Sequence, residues 1–313
     1  MEKVNEMEME ALMDFLSLTI MSGTPLLLGT LGEIYAERSG ILNLGIEGMM
    51  IMGAITGFSV THITGSVILG VLLAMLVGSL LSLIHAFVSI SLRSNQVISG
   101  LALTMFGLGL SGLIGRKYIG IPGKSLKKIP IPGLKHIPIL GRIIFQQDLI
   151  IYLSLILVPV LWFLLFRTKA GIVIRSVGED PSAADAIGIN VYLVRYFCVL
   201  LGGALAGLGG AYLSLRLAPA WIEGMTAGRG WVVVALTIFA MWNPSRALVG
   251  AYLFGGLEVL QFRLQPLGIP PSFLGMLPYL ATIVVLLIGS EETLKKKMGA
   301  PAALSLPYSR EEA

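Results

Sequence analysis

Three pairs of polar side chains interrupt long apolar stretches of this chain, and their types limit the chemistry open to it. Glu47 lies in ILNLGIEGMM with Asn43 four residues earlier; on one helix that spacing puts an amide and a carboxylate on a single face. Glu258 and Gln261, in GGLEVLQF, repeat the combination about one turn apart. Asn95 and Gln96 stand beside Arg93 at the start of another apolar run, where Asn95 reads most readily as a helix cap. Carboxylates and amides in such positions offer hydrogen bonds to a hydroxyl-bearing solute in a polar path. The same carboxylates would equally cap a broken helix, or pair with an arginine such as Arg38 or Arg263. Enzymatic chemistry has less to stand on. His62, His85 and His136 fall at unrelated spacings, and His85 on an apolar helix reads as a satisfied interior residue. The single cysteine, Cys198, permits neither an intrachain disulfide nor a thiolate zinc site, and no Ser/His/Asp grouping occurs at membrane depth.

The elements that must position these residues follow from composition. Of 313 residues, 55% are hydrophobic and 13% charged, about half the charge of a soluble domain, and the mean hydropathy is +0.86. A soluble or disordered protein is excluded; the expected fold is an all-α polytopic membrane protein. A net charge of +4, scattered along the chain, gives no footing for nucleic acid. The acidic start MEKVNEMEMEALMDF does not resemble a cleaved leader. A span needs roughly 20 apolar residues. Runs at Leu12–Leu31, Ile41–Val60, Ser66–Leu92, Gln96–Gly115, Leu149–Phe166, Tyr196–Leu215 and Phe273–Gly289 qualify, the first interrupted by Gly23 and Pro25. Asn243-Pro244-Ser245-Arg246 divides Trp231–Phe262 into two short helices, or into a pair of which one is a half-helix. About nine spans result, within a range of eight to ten. Gly53/Gly57, Gly203/Gly207 and Gly107/Ser111/Gly115 have the small-xxx-small spacing of closely packed helices.

Basic residues orient the chain as one transmembrane domain over residues 1–313. Lys295-Lys296-Lys297 places the tail, residues 290–313, on the cytoplasmic side. Arg167, Lys169, Arg175 and Arg195 place the 167–195 loop there too, which leaves the N-terminus outside. The 116–148 loop is external by this count although it carries seven basic residues, Arg116, Lys117, Lys124, Lys127, Lys128, Lys135 and Arg142. Pro122, Pro130, Pro132 and Pro138 give it the look of an ordered cap.

No G-x-x-x-x-G-K-[ST] occurs, so an ATP-driven process would draw its energy from a partner. The 167–195 loop offers the contact. Gly178-Glu179-Asp180-Pro181 is a turn, with Asp180 as N-cap and Pro181 at the first helical position. A short helix follows over Ser182–Ile187, with Ala183, Ala184 and Ile187 assigned to one face, Asp185 between them, and Gly188 ending it. An ion-coupled secondary transporter, needing no partner, is the competing class.

Four blocks of the chain resemble the permease subunit of ABC importers, in the branch shared by simple-sugar, branched-chain amino acid and nucleoside uptake systems. They are GEIYAERSGILNLGIEGMM (32–50), NQVISGLALTMFGLG (95–109), RSVGEDPSAADAIGIN (175–190) and GRGWVVVALTIFAMWNPSRALVGAYLFGG (228–256). The run Glu37, Gly40, Asn43-Leu44-Gly45-Ile46-Glu47-Gly48-Met49-Met50 is similar to the nucleoside type. The resemblance implies a second permease subunit, copy or paralogue, two cytoplasmic ATPase subunits that bind the ATP, and an extracytoplasmic solute-binding protein. It implies a location in the cytoplasmic membrane and no cofactor in this chain. It also implies that Gly178 through Gly188 is the helix that docks on the ATPase, and that the 32–50 block approaches the translocation path. Gln96 stands where an acidic residue is expected, and Met241 where glycine is common before Trp242.

Overall fold

The computed structural model describes residues 2–289 and 299–309; Lys295–Lys297 lie outside them. The principal helices are α1 (Glu2–Arg38), α2 (Ile46–Thr64), α3 (Val67–Ala86), α4 (Gln96–Gly115), α5 (Leu149–Arg167), α6 (Lys169–Glu179), α7 (Pro181–Ala186), α8 (Val191–Tyr212), α9 (Arg229–Phe239), α10 (Pro244–Leu264) and α11 (Leu277–Gly289). Among the described residues, β-structure amounts to isolated bridges. Among the described residues, seven helices are long and apolar enough to cross a membrane, and Arg229–Phe239 and Ser272–Val284 are shorter apolar helices, in keeping with about nine spans. The protein is an all-α polytopic membrane protein.

Small residues decide the packing. With lipid as apolar as any side chain, helices gain little from burying leucine and more from close backbone approach. A Cβ on Gly53 would meet the Gly207 carbonyl oxygen at 2.3 Å, and one on Gly107 the Gly48 Cα at 2.6 Å. Thus α8 runs through the middle of the bundle against α1, α2 and α3, while α10 lies along α1. The outward stripes are apolar instead, as in Ile68, Leu72, Leu76 and Leu80 of α3.

Several boundaries differ from the hydropathy reading. The first span is one unbroken helix to Arg38, with Pro25 inside it. Residues 39–45 are not helical, so the Ile41–Val60 run begins as irregular chain and turns helical at Ile46. The Tyr196–Leu215 run starts earlier, at Val191, which buries Arg195 within the bundle. The divided stretch resolves into a half-length α9 and a full-length α10, Asn243 capping the second through the Ser245 amide. The 167–195 loop holds an additional helix, α6, whose Gly171, Ile174, Val177 and Gly178 face inward.

The bundle has two distinct ends. At the platform end lie Arg38, α6, α7, the start of α8 and residues 299–309; Ala303 N donates to Gly178 O at 2.9 Å there. At the opposite end, the 116–148 loop packs on the entrance of α1, with Arg142 2.9 Å from Asp14. It also bridges to the 218–221 segment through Ile119–Trp221 and Pro122–Ala220.

Candidate functional site

Chain that leaves the helix at membrane depth must find hydrogen-bond partners inside the protein. After α1 ends, residues 39–45 run back into the bundle, and side chains from four helices hold them. Arg195 Nε donates to Ser39 O (3.1 Å), and the Leu42 amide donates to Gln96 Oε1 (2.7 Å). His85 Nε2 meets Leu42 O at 3.1 Å, and the Asn43 amide donates to Glu33 Oε1 at 3.0 Å. Thr104 Oγ1 donates to Leu44 O at 2.9 Å, and Asn43 Oδ1 accepts from the Gly45 amide at 2.9 Å. Two expected path residues, Asn43 and Gln96, are therefore fully buried in holding backbone. Asn43 sits in a turn before α2, so it does not share a helical face with Glu47; the four-residue spacing applies only within a continuous helix. Asn95 caps α4 through the Val97 and Ile98 amides and borders a separate apolar cleft of about 580 Å³.

Glu47 stands where two broken helices meet. It lies in the first turn of α2, and its carboxylate reaches across to the start of α9. Thr226 Oγ1 donates to its Oε1 at 2.5 Å, the Gly228 amide to Oε1 at 2.9 Å and the Gly230 amide to Oε2 at 2.6 Å. A Cβ on Gly230 would lie 2.5 Å from the Glu47 Cα, so the two backbones touch. One negative charge thus faces the positive ends of two helices and satisfies amides that α9 leaves unbonded in its first turn. The 11 residues of α9 cover roughly 16 Å, about half the hydrocarbon thickness. Its far end reaches the platform, where Trp242 Nε1 donates to Glu37 Oε2 at 2.5 Å and Arg38 Nη2 reaches Met241 O at 3.4 Å. The junction is therefore near mid-depth.

The other side of the α9 start carries a second polar group. Arg229 Nε is 3.1 Å from Glu258 Oε1, and its Nη2 donates to Oε2 at 3.2 Å. The partner of Glu258 is thus Arg229, not Arg38 or Arg263; Arg263 instead donates to Ala11 O. Gln261, Phe262, Pro278 and Tyr279 complete a cavity of about 280 Å³ around the pair, and Tyr279 donates to Ala227 O at 2.5 Å. A guanidinium, a carboxylate and an amide beside two aromatic rings can bond adjacent hydroxyls and cover the face of a flat solute.

A family model described as the branched-chain amino acid transport system permease component matches residues 15–286. The chain belongs to this permease family. Among similar curated proteins is "Putative glucose ABC transporter permease protein TsgC13" of Haloferax volcanii, 44% identical over 95% of this chain and 97% of that protein. The guanosine ABC transporter permease protein NupQ of Bacillus subtilis is 37% identical over 93% and 94%. The nucleoside ABC transporter permease protein NupC of Lactococcus lactis is 35% identical over 84% and 88%. The protein is thus a multi-pass membrane permease subunit of an ABC importer, a class that works with ATPase and solute-binding partners.

In this permease Gly178 and Glu179 close α6 instead of forming the turn read from their residues, Asp180 alone separates the two helices, and the short helix runs over Pro181–Ala186 where Ser182–Ile187 was expected. Asp180 caps α7 through the Ala183 amide at 2.9 Å, Pro181 occupies the first turn, and Gly188 leaves it at φ +90°. Its faces are arranged differently from the one-face assignment. Only Ala184 is buried, whereas Ala183 points outward and Ile187 is 77% exposed. Glu179 is exposed and its Oε2 accepts from the Ala302 amide at 3.3 Å. A six-residue helix is too short for alternation to fix which apolar residues turn inward; the neighbours α6 and α8 decide it.

Sequence reasoning passed over Glu33 and Arg229, named Glu37 only within the family run, and counted Arg195 only as a loop charge. Their signal was present: each is an ionisable residue at the margin of an apolar run, where it passes for a flank. Glu33 and Glu37, one turn apart, are the strongest such case, since the apolar run continues beyond them.

Proposed function

We propose that this permease imports nucleosides, with the solute passing the α9 junction and meeting Arg229, Glu258 and Gln261 on the way. The observation that carries the reading is the likeness to NupQ and NupC over most of the chain, and the cavity chemistry suits it. Carboxylate and guanidinium match ribose hydroxyls, and Tyr279 and Phe262 match a base. An ABC permease for glucose is the second reading, favoured by the 44% identity to TsgC13. Two permease subunits, two ATPases and one binding protein make up the proposed complex. The platform end is proposed to be cytoplasmic, supported by Arg167, Lys169, Arg175 and Lys295–Lys297, and the N-terminus external.

In this proposal α7 docks on the ATPase through Ala183, Ile187 and the flanking Glu179 and Asp185. Gly178 packs against the Arg38 backbone, where a Cβ would meet the Arg38 oxygen at 2.1 Å. Arg38 and Glu37 hold Met241 and Trp242 at the foot of α9, and α9 ends on Glu47. Motion at α7 therefore has a packed route to mid-depth. The solute biases it only through unequal affinity for the two states, so weak contacts in the cavity suffice.

Reconstitution in proteoliposomes with the cognate ATPase and binding protein tests the reading through uptake of radiolabelled guanosine, adenosine, glucose and leucine. ATP-dependent guanosine or adenosine accumulation is the expected result. Accumulation of glucose alone would move the solute, and uptake without ATP would overturn the ATP-driven reading.

A further inference from the structure

The tail beyond the last span lies outside the matched 15–286 range, yet residues 299–308 are built into the platform. The chain threads between two glycines. A Cβ on Gly40 (φ +92°) would meet the Ala303 oxygen at 3.2 Å, and one on Gly178 the Pro301 Cβ at 3.3 Å. Backbone bonds fix it on both sides: the Ala303 amide donates to Gly178 O at 2.9 Å and the Ser305 amide to Gly40 O at 3.2 Å. Tyr308 then enters a small apolar cluster with Val177, Ala184 and Val191, and the Arg195 guanidinium lies 6.0 Å from its ring centre. Ala184 is the buried residue of α7, so the tail forms one wall of that helix's seat. Gly40, in turn, belongs to the chain that runs back to Glu47, and Arg195 of α8 holds that chain at Ser39 O.

We propose that residues 299–308 are a strap that positions α7 and ties it to the 39–45 segment, with Tyr308 as the positioning residue. A second route then runs from the ATPase contact to the mid-depth junction, parallel to the one through Arg38 and Trp242. A displacement of α7 draws the strap with it through Ala184 and Tyr308. The strap passes the displacement to Gly40 through the Ser305 amide. Without the aromatic ring, α7 rides on α6 and α8 alone and moves without the 39–45 segment. The inference rests on the docking of α7 to the ATPase proposed above.

The test uses the full chain in the reconstituted complex and compares wild type with Tyr308→Ala, Tyr308→Phe and Ala303→Pro. Four quantities are read: co-purification of the ATPase, basal ATP hydrolysis, hydrolysis stimulated by the solute-loaded binding protein, and solute taken up per ATP. Tyr308→Ala is expected to assemble and hydrolyse ATP basally as wild type does, while uptake per ATP falls about tenfold, the scale of a lost coupling contact. Tyr308→Phe, which keeps the ring over Arg195, restores it. Ala303→Pro removes the N–H given to Gly178 and is expected to lower uptake per ATP as well. Wild-type uptake per ATP in both Tyr308→Ala and Ala303→Pro overturns the strap. So does loss of assembly by Tyr308→Ala alongside normal coupling in Ala303→Pro, because Tyr308 would then serve folding only. Failure of the docking reading shows separately: Ile187→Asp would leave ATPase co-purification and coupling intact.

Discussion

Glu47→Gln separates two roles for the mid-depth carboxylate, a contact for solute and a clamp on the start of α9. In wild type the carboxylate accepts from Thr226 Oγ1, the Gly228 amide and the Gly230 amide. A glutamine oxygen in the Oε1 position keeps the first two bonds, but they become neutral and lose about 1 kcal/mol each. The glutamine NH2 then faces the Gly230 N–H, donor against donor. That leaves a buried amide unpaired at about 1–3 kcal/mol. Losing the charge between two helix starts adds roughly 0.5–2 kcal/mol. The sum is about 3.5–7 kcal/mol, and about 4 kcal/mol released into local opening corresponds to roughly a thousandfold faster exchange. Hydrogen exchange read by mass spectrometry on peptides covering residues 226–232 is the assay, in detergent and without solute. The clamp predicts lost protection there, with peptides from α3 and α5 unchanged. Protection altered less than about tenfold, together with lost uptake, would refute the clamp and return Glu47 to a solute contact.

Four further outcomes follow from the same geometry. Asp148→Ala removes the cap of α5 and strands Arg216 and the buried Tyr212 hydroxyl, so thermal stability in detergent should fall by about 3–5 kcal/mol. Gly53→Ala forces a Cβ to 2.3 Å from the Gly207 oxygen, and α2 and α8 should separate at a cost of about 1–3 kcal/mol, read as a lower Tm. Trp242→Phe removes the indole N–H that the buried Glu37 Oε2 accepts, which should cost about 1–3 kcal/mol in stability and lower uptake per ATP. Met241→Gly should keep transport and raise Tm slightly, since Met241 holds φ +50°, a left-handed conformation that costs a side-chain-bearing residue about 1–2 kcal/mol.

Much of the fold was legible because lipid imposes a coarse demand on composition. Ser66–Leu92 and Leu149–Phe166 read correctly from length and absence of charge alone, and α3 and α5 fill them. The Asp180-Pro181 start and Gly188 stop of α7 were legible too, since capping depends on local chemistry. The break at residues 39–45 was not. Ile41-Leu42-Asn43-Leu44 is as apolar as a span, and its bonds to Glu33, Gln96, His85 and Thr104 hold it out of a helix. Those partners come from three other helices, which no local window contains. The Asn243-Pro244 division showed that one piece would be short but not where its free end would lie. Arg195 was misplaced for a related reason: as a loop residue it counted toward sidedness, whereas its Nε is committed to Ser39 O inside the bundle.

Two helices that begin at the same depth and point their first turns at each other should repel, because each presents a partial positive charge there. An anion between them turns that repulsion into attraction and, as Glu47 does here, fills bonds that the α9 start lacks. Glu47 meets the requirement from within α2 itself, and Gly230 without a Cβ lets the α9 backbone come close enough to be reached. This accounts for GIEGMM and GRG together more fully than solute contact does. A solute-facing carboxylate would need open space in front of it, yet both oxygens of Glu47 are already engaged and the residue is 4% exposed. Arg229 and Glu258 differ on both counts: the pair borders a cavity and remains partly exposed. If solute touches this region, it touches the outer side of the α9 start, while Glu47 holds the inner side in place. Glu258→Gln should therefore weaken uptake and leave exchange at residues 226–232 near wild type, the reverse of what Glu47→Gln does to protection.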